Sequence, residues 1–201
     1  MQVFEHMSVI TNGTYLSPSI VTMTIVCILG VPLSLEDVRE ACISILRTKR
    51  SFMNSATLEF GKKAMKVFSN GKLHITGCTK MVEAKACCDE FLEMMDMEVE
   101  DGEVPINLLM MNVCIKKATQ GDGFPPLEVL QKHFASLPGI HTRYHPDIYQ
   151  GLVLKLSVGS RVVTVLMFYT GTIMFMGIRT PEELDTASSR IFSELDELEL
   201  L

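Results

Sequence analysis

Histidine and cysteine are the side chains of this chain best suited to catalysis or metal binding, and their spacing supports neither role. The sequence has five histidines and six cysteines, without the C-x-x-C pair of a zinc site or redox dithiol. No nucleophile is spaced beside a base, no carboxylate pair is set for acid–base work, and no glycine-rich phosphate loop occurs. We therefore expect buried free thiols in a reducing compartment, no metal or cofactor, and no enzymatic activity.

Acidic and basic residues are separated along the chain. The net charge is −6, but nine acidic residues lie within residues 81–103 and seven within residues 182–201. Outside those two tracts basic residues outnumber acidic ones. Such asymmetry is more informative about partners than the total charge, and it predicts two acidic helices on an otherwise basic protein. A solubility role alone would explain the acidic tracts but not the basic remainder.

Two similar segments a fixed distance apart organise the sequence. Asn70-Gly71 between alternating flanks predicts a hairpin with a type I′ turn, because such turns need positive φ at both central positions. Three residues of this segment recur at an offset of 100, as Phe68 and Phe168, Gly71 and Gly171, Gly77 and Gly177. Two copies are too few for a solenoid, so the repeat predicts one pseudo-twofold domain.

Each half is predicted to run β-α-β-β-β-α, after an extension over residues 1–18. In the first repeat (19–100) an alternating strand spans 20–29, Ser34 caps a helix, and an acidic helix spans about 80–95. In the second repeat (101–201) strands span 106–117, 148–157 and 161–169, a helix spans about 125–136, and a capping box from Thr180 to Glu183 opens the last helix. Both helices of each half follow strands of one antiparallel sheet, so the helices should cover a single face.

The hairpins and the segment Tyr144-His145-Pro146-Asp147-Ile148-Tyr149-Gln150-Gly151-Leu152 resemble the TATA-box-binding protein family. That segment is similar to the family's Y-E-P-E-L-F-P-G-L, and Phe68-Ser69-Asn70-Gly71-Lys72 with Thr76-Gly77 is similar to its F-S-S-G-K and T-G. The resemblance covers roughly residues 20–198. It implies an α+β fold, a pseudo-twofold saddle with a curved antiparallel β-sheet of about ten strands and helices on the convex face. It also implies a general transcription initiation factor that binds and bends promoter DNA in the minor groove with its concave sheet.

The resemblance assigns residues to the DNA surface. Four aromatic residues fall where the family wedges base steps apart: Phe52, Phe68, Tyr149 and Phe168. Three lysines fall on its phosphate-binding positions, Lys62, Lys72 and Lys155, and Arg161 falls one residue away from another. Thr76 matches a groove-lining threonine. The family has an asparagine in the first strand of each half. Here that position is taken by Thr22 or Thr24 in the first half and by Leu109 or Asn112 in the second. Thr172 and Met176 replace an expected lysine and threonine.

The resemblance implies AT-rich double-stranded DNA and general transcription factors or RNA polymerase components as partners. It implies a nuclear or other intracellular site of transcription, with no membrane and no small-molecule substrate. The helix before the linker is basic in the family but acidic here, so we expect a basic partner to dock on Glu90, Glu93 and Asp96. Asp147 is a further expected partner contact.

An alternative is a saddle domain that has lost most DNA binding and serves as a protein–protein module in a transcription complex. The four aromatic residues and the basic remainder favour DNA binding. The replaced asparagines, lysine and threonine favour the protein–protein module.

Overall fold

The computed structural model describes residues 9–11, 14–16, 18–47, 54–98, 104–116 and 124–200. The chain divides into two compact units, named here the first unit (Thr22–Met110) and the second unit (Met1–Val21 with Met111–Leu201). The repeat boundaries expected from the sequence stay a prediction. In the N-terminal stretch, β1 (Val9–Thr11) and β2 (Thr14–Leu16) pair antiparallel.

The first unit combines antiparallel strands with two helices. In chain order its elements are β3 (Ser19–Ile28, which begins just before the unit boundary), α1 (Leu35–Ala41), a 3₁₀ turn (Ile43–Ile45), β4 (Ser55–Phe60), β5 (Lys63–Phe68), β6 (Lys72–Cys78) and α2 (Met81–Met94). The strands pair in the order β4-β5-β6-β3, and every one of these pairings is antiparallel.

The second unit repeats this path and adds a strand at its outer edge. Its elements are β7 (Ile106–Lys116, which begins just before the boundary), α3 (Leu127–Ala135), β8 (Ile140–His145), β9 (Tyr149–Val158), β10 (Arg161–Met167), β11 (Thr172–Ile178) and α4 (Pro181–Glu197). The strands pair in the order β7-β11-β10-β9-β8. The expected α+β class with antiparallel strands is confirmed. Beyond the N-terminal hairpin the described residues form nine strands, where about ten were expected.

Strand β8 was not predicted from the sequence. Its residues, Ile-His-Thr-Arg-Tyr-His, are mostly polar and give a weak apolar alternation. Only Ile140 is fully buried, as befits an edge strand that pairs on one side alone. The pairing with β9 supplies the stability that the local sequence lacks.

One face of the strands is buried beneath the helices. On β3 the alternating residues Met23, Ile25 and Cys27 are buried, whereas their neighbours are partly exposed. The Cys88 thiol of α2 lies next to the Cys27 thiol, and the buried residues of α2, among them Cys87 and Phe91, pack over that face. In the second unit, Phe175 of β11 packs against Phe192 of α4 with ring centroids 6.5 Å apart. All six cysteines are free and buried, as expected.

Glutamates near the N-termini of α2 and α4 cap these helices. The Glu83 carboxylate accepts hydrogen bonds from the backbone amides of Thr79 (2.7 Å) and Lys80 (3.1 Å). These bonds, the Thr79 amide foremost, lower the pKa of Glu83 to about 2. At α4 the Thr180 hydroxyl accepts from the Glu183 amide (3.2 Å), as the predicted capping box requires. The Glu183 carboxylate accepts from the Arg179 amide, one residue before the cap.

The β5–β6 hairpin is present, but its turn differs from the one predicted. The Gly71 amide donates to the Phe68 carbonyl (3.0 Å). Gly71 has φ +76°, whereas Asn70 is not among the positive-φ residues. A type I′ turn is therefore wrong, and the geometry is that of a longer loop closed by one left-handed glycine. The Asn70 side chain accepts from the Lys72 amide (3.2 Å) and stabilises this loop.

The same hairpin is tied to the segment after β3. The Leu29 amide donates to Gly71 (3.0 Å), and the Leu33 amide donates to Ser69 (2.9 Å). A Cβ atom on Gly71 would lie 2.0 Å from the Val31 carbonyl oxygen, which is backbone and cannot swing away. Gly71 is thus needed both for its φ and for this close approach.

No helix in the described ranges is long and apolar enough to cross a membrane.

Replacing Gly71 with Ala should lower the free energy of unfolding by about 2–4 kcal/mol, because left-handed strain and a backbone clash add together. Gly61→Ala is the matched control, since Gly61 has φ +61° but nothing within 4 Å of an added Cβ; it should cost only about 1 kcal/mol. Urea unfolding followed by circular dichroism measures both. Equal losses would show that the contact with Val31 imposes no constraint.

Candidate nucleic-acid interface

The strand side chains that alternate with the buried ones form a second face, named here the helix-distal face. In the first unit, Thr24 lies opposite Thr76, and Phe68 lies opposite Ser55. Directly opposed residues share a face of a sheet. The register therefore gathers predicted site residues from β3, β5 and β6 on one surface: Thr24, Phe68, Lys72 and Thr76.

His74 lies at the centre of this surface and was not predicted. It is opposite Val26 on one side and Lys66 on the other. Its ring meets Phe68 edge to face, with centroids 4.9 Å apart. Burial and the neighbouring charges of Lys72 and Lys66 lower the pKa of His74, so the imidazole is neutral at pH 7. A neutral ring beside an aromatic one adds a flat, weakly polar contact surface.

The register makes two of the candidate first-strand positions equivalent, and the match of either one to a family asparagine stays a prediction. Thr24 lies opposite Thr76, and Asn112 lies opposite Met176, so Thr24 and Asn112 are equivalent in the two units. Next to each pair the pairing register shifts by one residue, at a left-handed glycine: Gly77 of β6 in the first unit and Gly177 of β11 in the second.

The two glycine amides find different acceptors. The Gly77 amide donates to the Thr22 hydroxyl (3.2 Å), and the Gly177 amide donates to the Asn112 side-chain oxygen (3.1 Å).

An aromatic pair marks the helix-distal face of the second unit. Tyr149 and Phe168 meet edge to face with centroids 6.1 Å apart, and Tyr149 is 43% exposed. Gly151 lies directly beside both rings: a Cβ there would be 2.7 Å from the Tyr149 ring and 3.0 Å from the Phe168 ring. The missing side chain lets both rings lie close to strand β9. Lys155 is exposed on the same strand.

Arg161 does not join this face, in contrast to its expected DNA contact. It is opposite Val158, on the side that the helices cover. Its guanidinium binds Glu183 of α4, at 2.6 and 2.8 Å, and donates to the Gly177 carbonyl (3.3 Å). Burial alone would raise the pKa of Glu183, but the Arg161 hydrogen bond, the Arg179 amide and both charges lower it overall. Arg161 therefore holds α4 against the strands and is not part of the interface.

Of two further expected DNA contacts, the structure describes one. Lys62 is exposed in the turn between β4 and β5, where its carbonyl approaches Gly77. Phe52 lies outside the described residues, so its expected wedge role stays a prediction.

Acidic side chains are concentrated on the helices. Glu90, Glu93 and Asp96 are exposed on α2 or just beyond its end, and Asp147 is exposed in the turn after β8. Their partner-binding role stays a prediction. Among the described strands, Glu59 is the one acidic residue, and it is paired with Arg47 at 2.7 Å. Basic residues on the helix-distal faces are Lys66, Lys72, Lys116, Arg143 and Lys155.

Several of these residues carried a usable sequence signal. His74 stands two residues from both Lys72 and Thr76, so strand alternation places it on their face. Lys66 relates to Phe68 in the same way. Arg143 gave no such signal, because β8 itself was not predicted. No group of side chains able to hold a metal ion occurs in the described ranges.

Comparison with known proteins gives the family. The model of the family described as Transcription factor TFIID (or TATA-binding protein, TBP) matches residues 17–97 and 130–198. The TATA-box-binding protein of Methanobrevibacter smithii is 24% identical over 176 residues, which cover 86% of this chain and 91% of that protein. That of Methanothermococcus thermolithotrophicus is 30% identical over 139 residues, 69% of this chain and 71% of that protein.

A solved structure shares the fold. Methanococcus jannaschii TBP aligns with a TM-score of 0.68 over 90% of this chain and 99% of that chain, at 21% identity. The matched family is one of transcription factors rather than enzymes, so the expectation of no enzymatic activity is confirmed. From the family match over most of its length, this chain belongs to the TATA-binding protein family and is a TATA-binding-protein-like transcription factor.

Proposed function

We propose that this protein is a general transcription initiation factor that binds promoter DNA in the minor groove through its helix-distal faces and bends it. One observation carries the proposal: aromatic rings and basic side chains share these faces, while most of the described acidic residues lie on the helices or just beyond their ends. The phosphates of DNA attract the basic helix-distal faces and repel the acidic helices. The protein would then act wherever genomic DNA is transcribed in the cell.

The aromatic residues suit a wedge role better than a core role. Phe68, Tyr149 and Phe168 are each partly exposed on a face that no described helix covers. Tyr149 and Phe168 adjoin Gly151, which offers no side chain to bury them. A flat ring inserted at a base step replaces part of the stacking that it disrupts and kinks the duplex. The Tyr149 hydroxyl makes that ring less apolar than the others.

The central positions differ between the units. Thr24, Thr76 and neutral His74 give the first unit small polar groups on this face. The second unit presents Asn112, with Met176 opposite it. Minor-groove recognition distinguishes A·T from G·C pairs mainly through acceptors and the guanine amino group. We propose a preference for AT-rich duplexes, carried chiefly by the first unit.

Protein partners follow from the same proposal. A transcription initiation factor recruits general transcription factors or RNA polymerase components, and the exposed helix surfaces are free for them. The alternative is a protein–protein module that has lost most DNA binding. Thr172 and Met176 favour this alternative, because they stand in the second unit where the family has a basic and a polar side chain. Titration of AT-rich and GC-rich duplexes, with bending followed by fluorescence energy transfer, separates these functions.

Affinity for DNA should fall steeply with salt. About six phosphate contacts give a slope of log affinity against log salt of about −5. Lys62→Gln and Lys72→Gln should each make the slope shallower by about one. Lys132→Gln on helix α3 is the matched control and should leave the slope unchanged. A flat response in the unaltered protein would favour the protein–protein module.

The two units should contribute unequally. The first unit keeps Lys72 and Thr76 where the second has Thr172 and Met176, so Phe68→Ala should weaken DNA binding more than Phe168→Ala. Fluorescence anisotropy with one AT-rich duplex compares the two variants at a single salt concentration. The reverse order would contradict an interface dominated by the first unit.

Gly151→Ala tests the aromatic pair directly. The added methyl would push the Tyr149 and Phe168 rings out of place, so the bend angle should decrease and affinity should fall roughly tenfold, a loss of about 1.4 kcal/mol. Gln150→Ala, an exposed neighbour on the same strand, should change neither. Normal bending by the Gly151 variant would argue against a wedge built from these rings.

A further inference from the structure

We propose that Arg143 and Lys155 of the second unit together bind one backbone phosphate of the DNA, next to the Tyr149–Phe168 pair. This inference rests on the proposed function. The family resemblance already implies a phosphate contact for Lys155, and the new element is Arg143, which the sequence did not indicate. It comes from comparing the same position in the two units.

In the first unit this position holds an ion pair. Leu46 bridges to Leu58, and the Arg47 amide donates to the Thr57 carbonyl (2.8 Å), so Arg47 lies beside Thr57. Its guanidinium reaches diagonally to Glu59, two residues further along β4, at 2.7 Å. Diagonal neighbours on adjacent strands are within reach of long side chains.

In the second unit the acidic member is replaced by a basic one. Arg143 lies opposite Val153, and the residue two further along β9 is Lys155. Val153 and Thr57 are equivalent, because they lie opposite Leu166 and Lys66, which are related by the 100-residue repeat. Lys155 therefore stands where Glu59 stands, and the diagonal pair is Arg and Lys in place of Arg and Glu.

Two cations at this spacing suit an anion between them. Arg143 and Lys155 are both exposed, and neither has an ion pair or side-chain hydrogen bond within the described part of the chain. His141 lies directly opposite Lys155 and adds a third nitrogen ligand to the row. Two oxygens of one phosphate could accept charge-assisted hydrogen bonds, one from Arg143 and one from Lys155. The negative charge of the phosphate would also offset the repulsion between the two cations.

The surroundings favour DNA as the source of that anion. A cavity of about 140 Å³ opens beside Arg143, lined by Arg143, His145, Ile148, Tyr149, Gly151 and Val153. Its lining has no carboxylate, and it shares Tyr149 and Gly151 with the proposed wedge. A strand kinked at the wedge would bring its backbone to this cavity, whereas an isolated acidic peptide would have no reason to lie beside the rings.

The test compares the two arginines. Arg143→Gln should reduce affinity for an AT-rich duplex roughly fivefold and make the salt slope shallower by about 0.9. The double variant Arg47→Gln with Glu59→Gln, which removes an ion pair of no net charge at the equivalent position, should change the slope little. Arg143→Lys should retain the slope, and Lys155→Glu, which recreates the ion pair of the first unit, should weaken binding more than Arg143→Gln. Thermal unfolding confirms that each variant is folded.

Single methylphosphonate substitutions in the duplex locate the contact. A methylphosphonate at one position should lower the affinity of the unaltered protein roughly fivefold. The same substitution should not lower the affinity of the Arg143→Gln variant any further, as expected for a coupled pair. Equal slope changes for Arg143→Gln and the Arg47→Gln, Glu59→Gln double variant would overturn the inference while leaving the proposed function intact. So would an Arg143→Gln variant that binds DNA normally but loses binding to a glutamate-rich peptide. Absence of any DNA binding by the unaltered protein would remove the proposed function itself, and the inference with it.

Discussion

Burial of one strand face beneath the helices is the interaction on which the rest of the molecule depends. Residues such as Ile25, Ile75 and Phe91 in the first unit and Phe134, Phe175 and Phe192 in the second are fully enclosed. Each such side chain contributes about 2 kcal/mol. Because strand side chains alternate, concentrating the core on one face leaves most of the other face outside the core. The helix-distal face can hold partly exposed rings and exposed lysines without loss of the fold.

The two units keep this core but differ on the helix-distal face. Lys72 has Thr172 as its counterpart, Thr76 has Met176, and Glu59 has Lys155. None of these exchanges falls on a buried position, and the buried positions of both units are mostly apolar. Positions outside the core have diverged in charge while the hairpins, the left-handed glycines and the glutamate caps have stayed. A repeated fold has thus provided two surfaces of unlike chemistry.

Much of the fold followed from local signals in the sequence, because those signals are short-range. The hairpins, the alternation of β3 and the start of α4 each depend on a few adjacent residues. Apart from the type of the turn at Asn70-Gly71, the errors concern features that depend on pairing. Strand β8 is stabilised by β9 rather than by its own sequence. Arg161 falls one residue from a family position, and in a strand a shift of one residue exchanges the two faces. The equivalence of Thr24 and Asn112 likewise needed the register, which no single strand contains.

The separation of charge between strands and helices has a kinetic consequence. In each unit the basic strand face and one acidic helix, α2 in the first unit and α4 in the second, form an electric dipole that crosses the strands. In the field of a polyanion this dipole experiences a torque, which turns the strand face forward before contact. Encounters in which the acidic helices face the polyanion are disfavoured by repulsion. A larger fraction of encounters therefore begins with the strand face toward the polyanion. A chain with a net charge of −6 can therefore approach a negatively charged polymer quickly, at a rate that added salt would slow.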